Sequence, residues 1–374
     1  MEHEMIWEVP GVFVREGVVV ALPLCFPGQT ISPPAGETAI ATLAFDANAT
    51  TIYCGTKGTR AHVLTSMIYE DRGVVIDVGA VPDATSVDGL CVCENRIFIV
   101  ASGKNGAALW SVAEFDFDHS YSLIQEWDLG REPYEKVCDL FSEHSVAQAI
   151  PVSDGCAMIG IVESSGEVFR VDLKSKQKDI LGKVDKSGHF SRALVLDRSG
   201  RLWGSSGLAQ LWVCDVSRGE VECTDMEAPA AAGRSPHTQV SAWALDPFTG
   251  ILYGGTTPDG YLFKFDPESR ELVPLGKPTI HGSISCMSVG NDGRLFGMSG
   301  AEDDIAHMFS YDPRSGALSD MGIPVSSLTV REYGYHFSCA ATGPNGEIFF
   351  GQGERINHLW VYFPSVPRRV PVRE

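Results

Sequence analysis

The sequence predicts an all-β chain: a seven-bladed β-propeller of four-stranded antiparallel blades, with the ring closed by an N-terminal strand in the last blade. Three observations predict it. Short apolar runs rich in Val, Ile, Leu, Phe, Trp and Tyr alternate with turn residues throughout, and Gly alone contributes 39 of the 374 residues. A recurring unit opens with a histidine just ahead of an apolar run and a turn, as in HFSRALVLDRSG from His189, HTQVSAWALDPFTG from His237, HGSISCMSVGNDG from His281 and HFSCAATGPNG from His336. No helical heptad pattern and no apolar stretch of about 20 residues interrupts this organisation.

The elements follow in order. Second strands read TIYCGT from Thr51, RIFIVAS from Arg96, CAMIGIV from Cys156, RLWGSS from Arg201, ILYGGT from Ile251, RLFGMS from Arg294 and EIFFGQ from Glu347. Third strands start near His62, Ala108, Glu167, Gln210, Tyr261, His307 and His358. Between third and fourth strands lie Asp-led turns, DLKSK, DVSRG, DPESR and DPRSG, in which Asp caps the turn and Gly or Ser tolerates the left-handed conformation. The last unit has no fourth strand of its own, because the tail SVPRRVPVRE is punctuated by proline. The N-terminal GVFVREGVVVALPL is an orphan strand-like segment that would fill the gap and remove an exposed edge. The expected organisation is one domain over 1–374: closing strand and lead-in at 1–37, blades at 38–363 and a tail at 364–374.

Charge and cysteine usage bound the function. The net charge of −19 and the lack of a long Lys/Arg run argue against nucleic acid, and no segment is apolar enough to suggest a membrane. The ten cysteines form no CxxC pair, and Cys91 and Cys93, two apart on a strand, point to one face and do not easily bridge each other. With no signal-like N-terminus, the expected location is cytoplasmic.

The histidines carry the functional expectation. His144, His189, His237, His281 and His336 sit at or before first strands, and His62, His307 and His358 at starts of third strands. Eight of the ten histidines therefore fall near one mouth of the channel. Arg60, Arg192, Gln239, Arg331, Tyr333 and Tyr335 join them. Imidazoles, a phenol and cations around a concave centre suit an oligosaccharide or another anionic small molecule. His189, His336, Tyr335 and Arg192 are the candidate catalytic groups, and His144, Arg60, Tyr333 and Arg331 the candidate substrate-binding groups. His237, His281 and Gln239 are a candidate metal site for a divalent Mn, Ca or Zn ion, with no organic cofactor expected. For the outer His62, His307 and His358, hydrogen bonding between neighbouring blades is an equal expectation.

Units such as YGGTTPDGYLFKFDPES (Tyr253 to Ser269) and the ending ERINHLWVYFP (Glu354 to Pro364) resemble those of seven-bladed sugar-acting enzymes. Rhamnose–glucuronate lyases, ulvan lyases and oligogalacturonate lyases are of this kind. The resemblance is architectural and implies a lyase that cleaves a uronic-acid glycoside by β-elimination, with His, Tyr and Arg at the channel mouth and in some cases a divalent metal. Elimination needs a base with a pKa near 7 beside the α-carbon and a cation for the substrate carboxylate. Two other readings stay open: a metal-dependent glycosidase or other metalloenzyme on the same site, and a non-catalytic interaction scaffold.

Overall fold

The computed structural model describes residues 12–24, 33, 36–45, 51–69, 72–114, 134–152, 155–184, 190–280, 282–301, 304–326, 331–353 and 357–365. These residues are antiparallel strands and turns, with one 3₁₀ turn at Ser235–His237. The innermost strands stand side by side around an axis. Ala39–Phe45 neighbours Ser86–Cys93, which neighbours Val146–Pro151; Val195–Leu196 neighbours Gln239–Leu245, which neighbours Ile284–Val289. That strand neighbours Phe337–Thr342, which returns to Ala39–Phe45. The Leu194 N–H donates to Gln148 Oε1 at 2.9 Å across the remaining junction.

The blade count departs from the sequence expectation. Five blades, not seven, stand as separate four-stranded sheets. The strands from Ala39 to Ala80 and from Ser86 to Ser142 instead run together as one eight-stranded sheet, joined where Lys57 pairs with Ser86. The Gly58 N–H extends this junction by donating to the Thr85 carbonyl at 3.0 Å. Glycine permits the approach: a Cβ on Gly55 would lie 2.4 Å from Val87 Cγ1, and one on Gly58 2.3 Å from the Gly36 carbonyl oxygen. In the unit that begins at Gln239, by contrast, the second strand ends at Thr257, ahead of Pro258, which has no N–H to offer.

The N-terminal segment joins the last unit. Val18–Pro23 pairs antiparallel with His358–Phe363, Val18 opposite Phe363 and Pro23 opposite His358. It is the outer strand of that sheet, and Phe13 makes a further parallel bridge to Ile323. Its own Ala21 and Leu22 are buried, and Trp360 and Tyr362 are almost fully covered.

Between neighbouring sheets lie apolar clusters built from second- and third-strand side chains, with Trp203, Trp212, Trp360, Phe263 and Phe309 among the largest buried groups. A second-strand glycine lies opposite a third-strand aromatic in several units: Gly160 and Phe169, Gly204 and Trp212, Gly254 and Phe263, Gly297 and Phe309. The ring occupies the space a Cβ would need. On Gly254 it would lie 2.0 Å from Phe263 Cζ, so Gly254→Ala is expected to cost roughly 1–3 kcal/mol by overpacking, read as a lower urea midpoint with an unchanged slope.

The Asp-led turns form through local bonds. Asp172, Asp215, Asp266 and Asp312 each accept the N–H two residues ahead, from Lys174, Ser217, Glu268 and Arg314. Those bonds, with serine hydroxyls beside them, hold all four carboxyls below the usual carboxylate range. The left-handed residue is the fifth of each turn, and it is Lys176 and Arg270 in two cases and Gly219 and Gly316 in the others.

Candidate functional site: a carboxyl in the central cavity

Each regular inner strand carries a register shift near its start. The residue skipped in pairing is Ala41, Asp88, Ala147, Ser241, Ser285 or Ser338. A β-bulge of this kind re-aims the extra residue. Five of the six, all but Ser285, line a cavity of about 650 Å³ at the centre of the ring. The bulge therefore decides which side chain each strand presents to that space.

The presented groups are not alike. Ser241 Oγ donates to the Ile284 carbonyl at 2.6 Å, and Ser338 Oγ donates to the Ile40 carbonyl. Ser191, ahead of the short strand Val195–Leu196, does the same to the Val240 carbonyl at 2.5 Å. These hydroxyls are committed to bridging neighbouring strands, and the alanines are inert. Asp88 is the one ionisable side chain among the bulge residues.

Its surroundings tune it. Ser102 Oγ donates to Asp88 Oδ2 and itself accepts the Val146 N–H at 3.0 Å. Burial pushes the Asp88 carboxyl up to about 7. Hydrogen bonds from Ser102 and Ser86 act against that rise, Glu163 adds to it, and Arg192 opposes it. Arg192 and Glu163 form an ion pair at the cavity wall, with the guanidinium side chain 70% exposed. Lys57, also exposed, borders the cavity from the Lys57–Ser86 junction. Gln148 adds an amide whose oxygen is engaged by Leu194 N–H. A carboxyl that titrates near neutrality, two cations and a polar lining can bind a small anion and move a proton on it.

Of the residues singled out from sequence, Arg192 borders this cavity. His144 is exposed beside cavity-lining Ser145, with its Nδ1 2.9 Å from Ser164 Oγ. Arg60 binds Glu37 at 3.1 Å. Tyr333 lies in the two-stranded ribbon of Val325–Ser326 with Glu332–Tyr333, its ring 6.3 Å from that of Phe13. Arg331 and Tyr335 are exposed, and His336 is partly buried, its carbonyl accepting the Gly353 N–H at 2.9 Å. His237 is exposed at the end of the 3₁₀ turn, and Gln239 pairs with Thr257. His189 and His281 lie outside the described residues. Among the described residues no group of three or more His, Cys, Asp or Glu side chains is placed to share a metal ion.

Two of the outer histidines, His62 and His307, bond within their own units. His62 Nδ1 lies 2.9 Å from Asp77 Oδ2 and its Nε2 2.9 Å from Glu37 Oε2, while His307 Nδ1 lies 3.1 Å from Asp320. Asp77 and Asp320 each also accept a glycine N–H, from Gly79 and Gly322. These histidines anchor third strands to fourth strands. Burial disfavours the charged His62 ring, but Asp77 and Glu37 outweigh it and raise its pKa.

The architecture has relatives among solved structures. The extracellular domain of the one component system BT4673 from B. thetaiotaomicron aligns with a TM-score of 0.60 over 92% of this chain at 11% identity. The chain spans 40% of the length of that extracellular domain's chain. Virginiamycin B lyase from Staphylococcus aureus aligns with a TM-score of 0.52 at 13% identity, covering 75% of this chain and 85% of that one. The chain is a β-propeller. At these identities the likeness is one of fold, and no protein-family model or curated protein sequence matches the chain.

Proposed function

We propose that this propeller is an enzyme that abstracts a proton from a small sugar acid held in the central cavity, an eliminating lyase for a uronic-acid-containing glycoside. The observation that carries the reading is Asp88, a carboxyl with a pKa of about 7 presented by a bulge where the equivalent strands offer Ala or Ser. The base of the expected mechanism thus moves from the histidines to Asp88.

The chemistry follows from the lining. Arg192 and Lys57 take the substrate carboxylate, which makes the α-hydrogen more acidic by stabilising the enolate-like charge. Asp88 carboxylate accepts that proton, the C–H electron pair becomes the new C=C bond, and the C–O bond to the leaving sugar breaks. Asp88, now protonated, returns the proton to the leaving oxygen. A group of pKa near the working pH suits both halves of this exchange. The virginiamycin B lyase propeller supports the reading to the extent that a related architecture carries a lyase.

The test is a panel of uronate-containing oligosaccharides, monitored by the absorbance of an unsaturated uronate. Saturated products would point to a glycosidase, and no turnover with retained binding would point to a receptor; either result overturns the lyase reading. With an active substrate, Arg192→Gln is expected to raise KM roughly tenfold while changing kcat less, as for the loss of a charge-assisted contact made in both ground and transition states. An unchanged KM would remove Arg192 from substrate binding.

A further inference from the structure

Sulfur gathers at one seam of the ring. Cys91, Cys93, Cys138 and Cys156 share the apolar cluster between the strands Ser86–Cys93 and Val146–Pro151 and those that follow them. Cys91 and Cys93 cannot readily bridge each other, but each reaches across to the neighbouring unit. Cys91 Sγ lies 3.5 Å from the Gly155 carbonyl oxygen, and Cys93 Sγ lies 4.0 Å from Cys156 Sγ. A disulfide requires about 2.05 Å, so roughly 2 Å of closure separates the two states. Cys93 stands at the end of its strand, and Cys156 follows a turn at Gly155 and precedes Ala157–Val162. The adjustment therefore falls on turn-borne side chains rather than on the sheet centre.

The two thiols are unequal. Cys93 is 9% exposed, whereas Cys156 is partly exposed. Burial raises the Cys93 thiol and Lys174 opposes that rise; the Lys174 ammonium is ion-paired with Glu94 at 2.5 Å. An accessible thiol near an ammonium, with a second thiol behind it, is the arrangement of an attacking and a resolving cysteine.

We propose that Cys93 and Cys156 form an oxidation site, a dithiol that hydrogen peroxide closes to a disulfide across the seam. Cys156 thiolate attacks one peroxide oxygen, the O–O bond breaks, and the departing hydroxide takes a proton to become water. Cys93 sulfur then displaces the hydroxyl from the Cys156 sulfenic acid, forming S–S as S–O breaks and a second water leaves. Two thiols lose two protons and two electrons, and one peroxide becomes two waters. The bond would sit at the end of Ser86–Cys93 remote from Ser86, tying the strand that carries Asp88 to its neighbour.

The experiment treats the full chain with hydrogen peroxide, alkylates remaining thiols and maps unreduced peptides. The expected product is a cross-linked pair containing Cys93 and Cys156, with two fewer titratable thiols and a melting temperature raised by several degrees, both reversed by dithiothreitol. Cys93→Ser and Cys156→Ser should each abolish the cross-link and the thermal shift. Separate alkylation of Cys93 and Cys156 after oxidation, overoxidation of either without linkage, or a cross-link joining other cysteines would overturn the proposal.

Discussion

Asp88→Asn is expected to lower kcat at least roughly 100-fold on a turned-over uronate, the scale of a lost general base, and at the same time to make the protein more stable. The two effects share one cause. The folded-state pKa of about 7 lies above the ordinary value of 3.8, so between those limits the folded chain holds a proton that the unfolded chain has released. Stability contributed by this group therefore falls as pH rises from about 4 to about 7 and is level above that. Asparagine removes the fall. The gap in melting temperature between variant and parent should widen across that interval and stay constant at higher pH. On the proposed chemistry, the parent's kcat/KM should rise with pH through an inflection near 7 as the carboxylate forms, and the variant's residual rate should lack it. A destabilised variant, or one that keeps the inflection, would return Asp88 to a structural role.

Removing residues 1–24 is expected to have the largest effect on the fold. It leaves the His358–Phe363 strand with a bare edge and uncovers Trp360 and Tyr362, each about 1% exposed in the closed ring. The truncated chain should aggregate in size-exclusion chromatography and lose a single sharp urea transition. An unchanged urea midpoint would show that the N-terminal strand is ornamental to closure.

Strand positions and Asp-led turns were legible because both are local. Alternation marks a half-buried strand, and an aspartate bonded two residues ahead needs no distant partner. The joining of the first two units was not legible, since Lys57 and Ser86 meet through backbone groups that carry no side-chain signature. Asp88 was hidden for two reasons. Asp88-Gly89 has the form of a hairpin turn, whereas Gly89 is needed because a Cβ there would lie 2.3 Å from the Ala149 carbonyl oxygen. And its raised pKa depends on its burial in the ring and on Glu163, which belongs to a later unit, as does Arg192, which opposes the rise. The histidine spacing was real in the sequence, yet His144, His237 and His336 precede the bulge residues Ala147, Ser241 and Ser338 by two to four positions. The bulge chooses the side chain that each of these strands presents, and His144, His237 and His336 are not among the residues lining the cavity. Arg192 was legible as a cation close behind a strand-start histidine, and it does border the cavity.

The joint between Lys57 and Ser86 has a mechanical consequence. At other junctions around the axis, neighbouring inner strands are bridged by side-chain hydrogen bonds such as those of Ser241 and Ser338. Between Lys57 and Ser86 the sheet is continuous, so a ligand cannot wedge those units apart. Asp88 and Lys57 therefore lie beside a backbone-paired joint, and widening to admit a ligand is expected at the other junctions. On the proposed chemistry, Asp88 and Lys57 would keep their separation, with any widening expected on the side of Arg192.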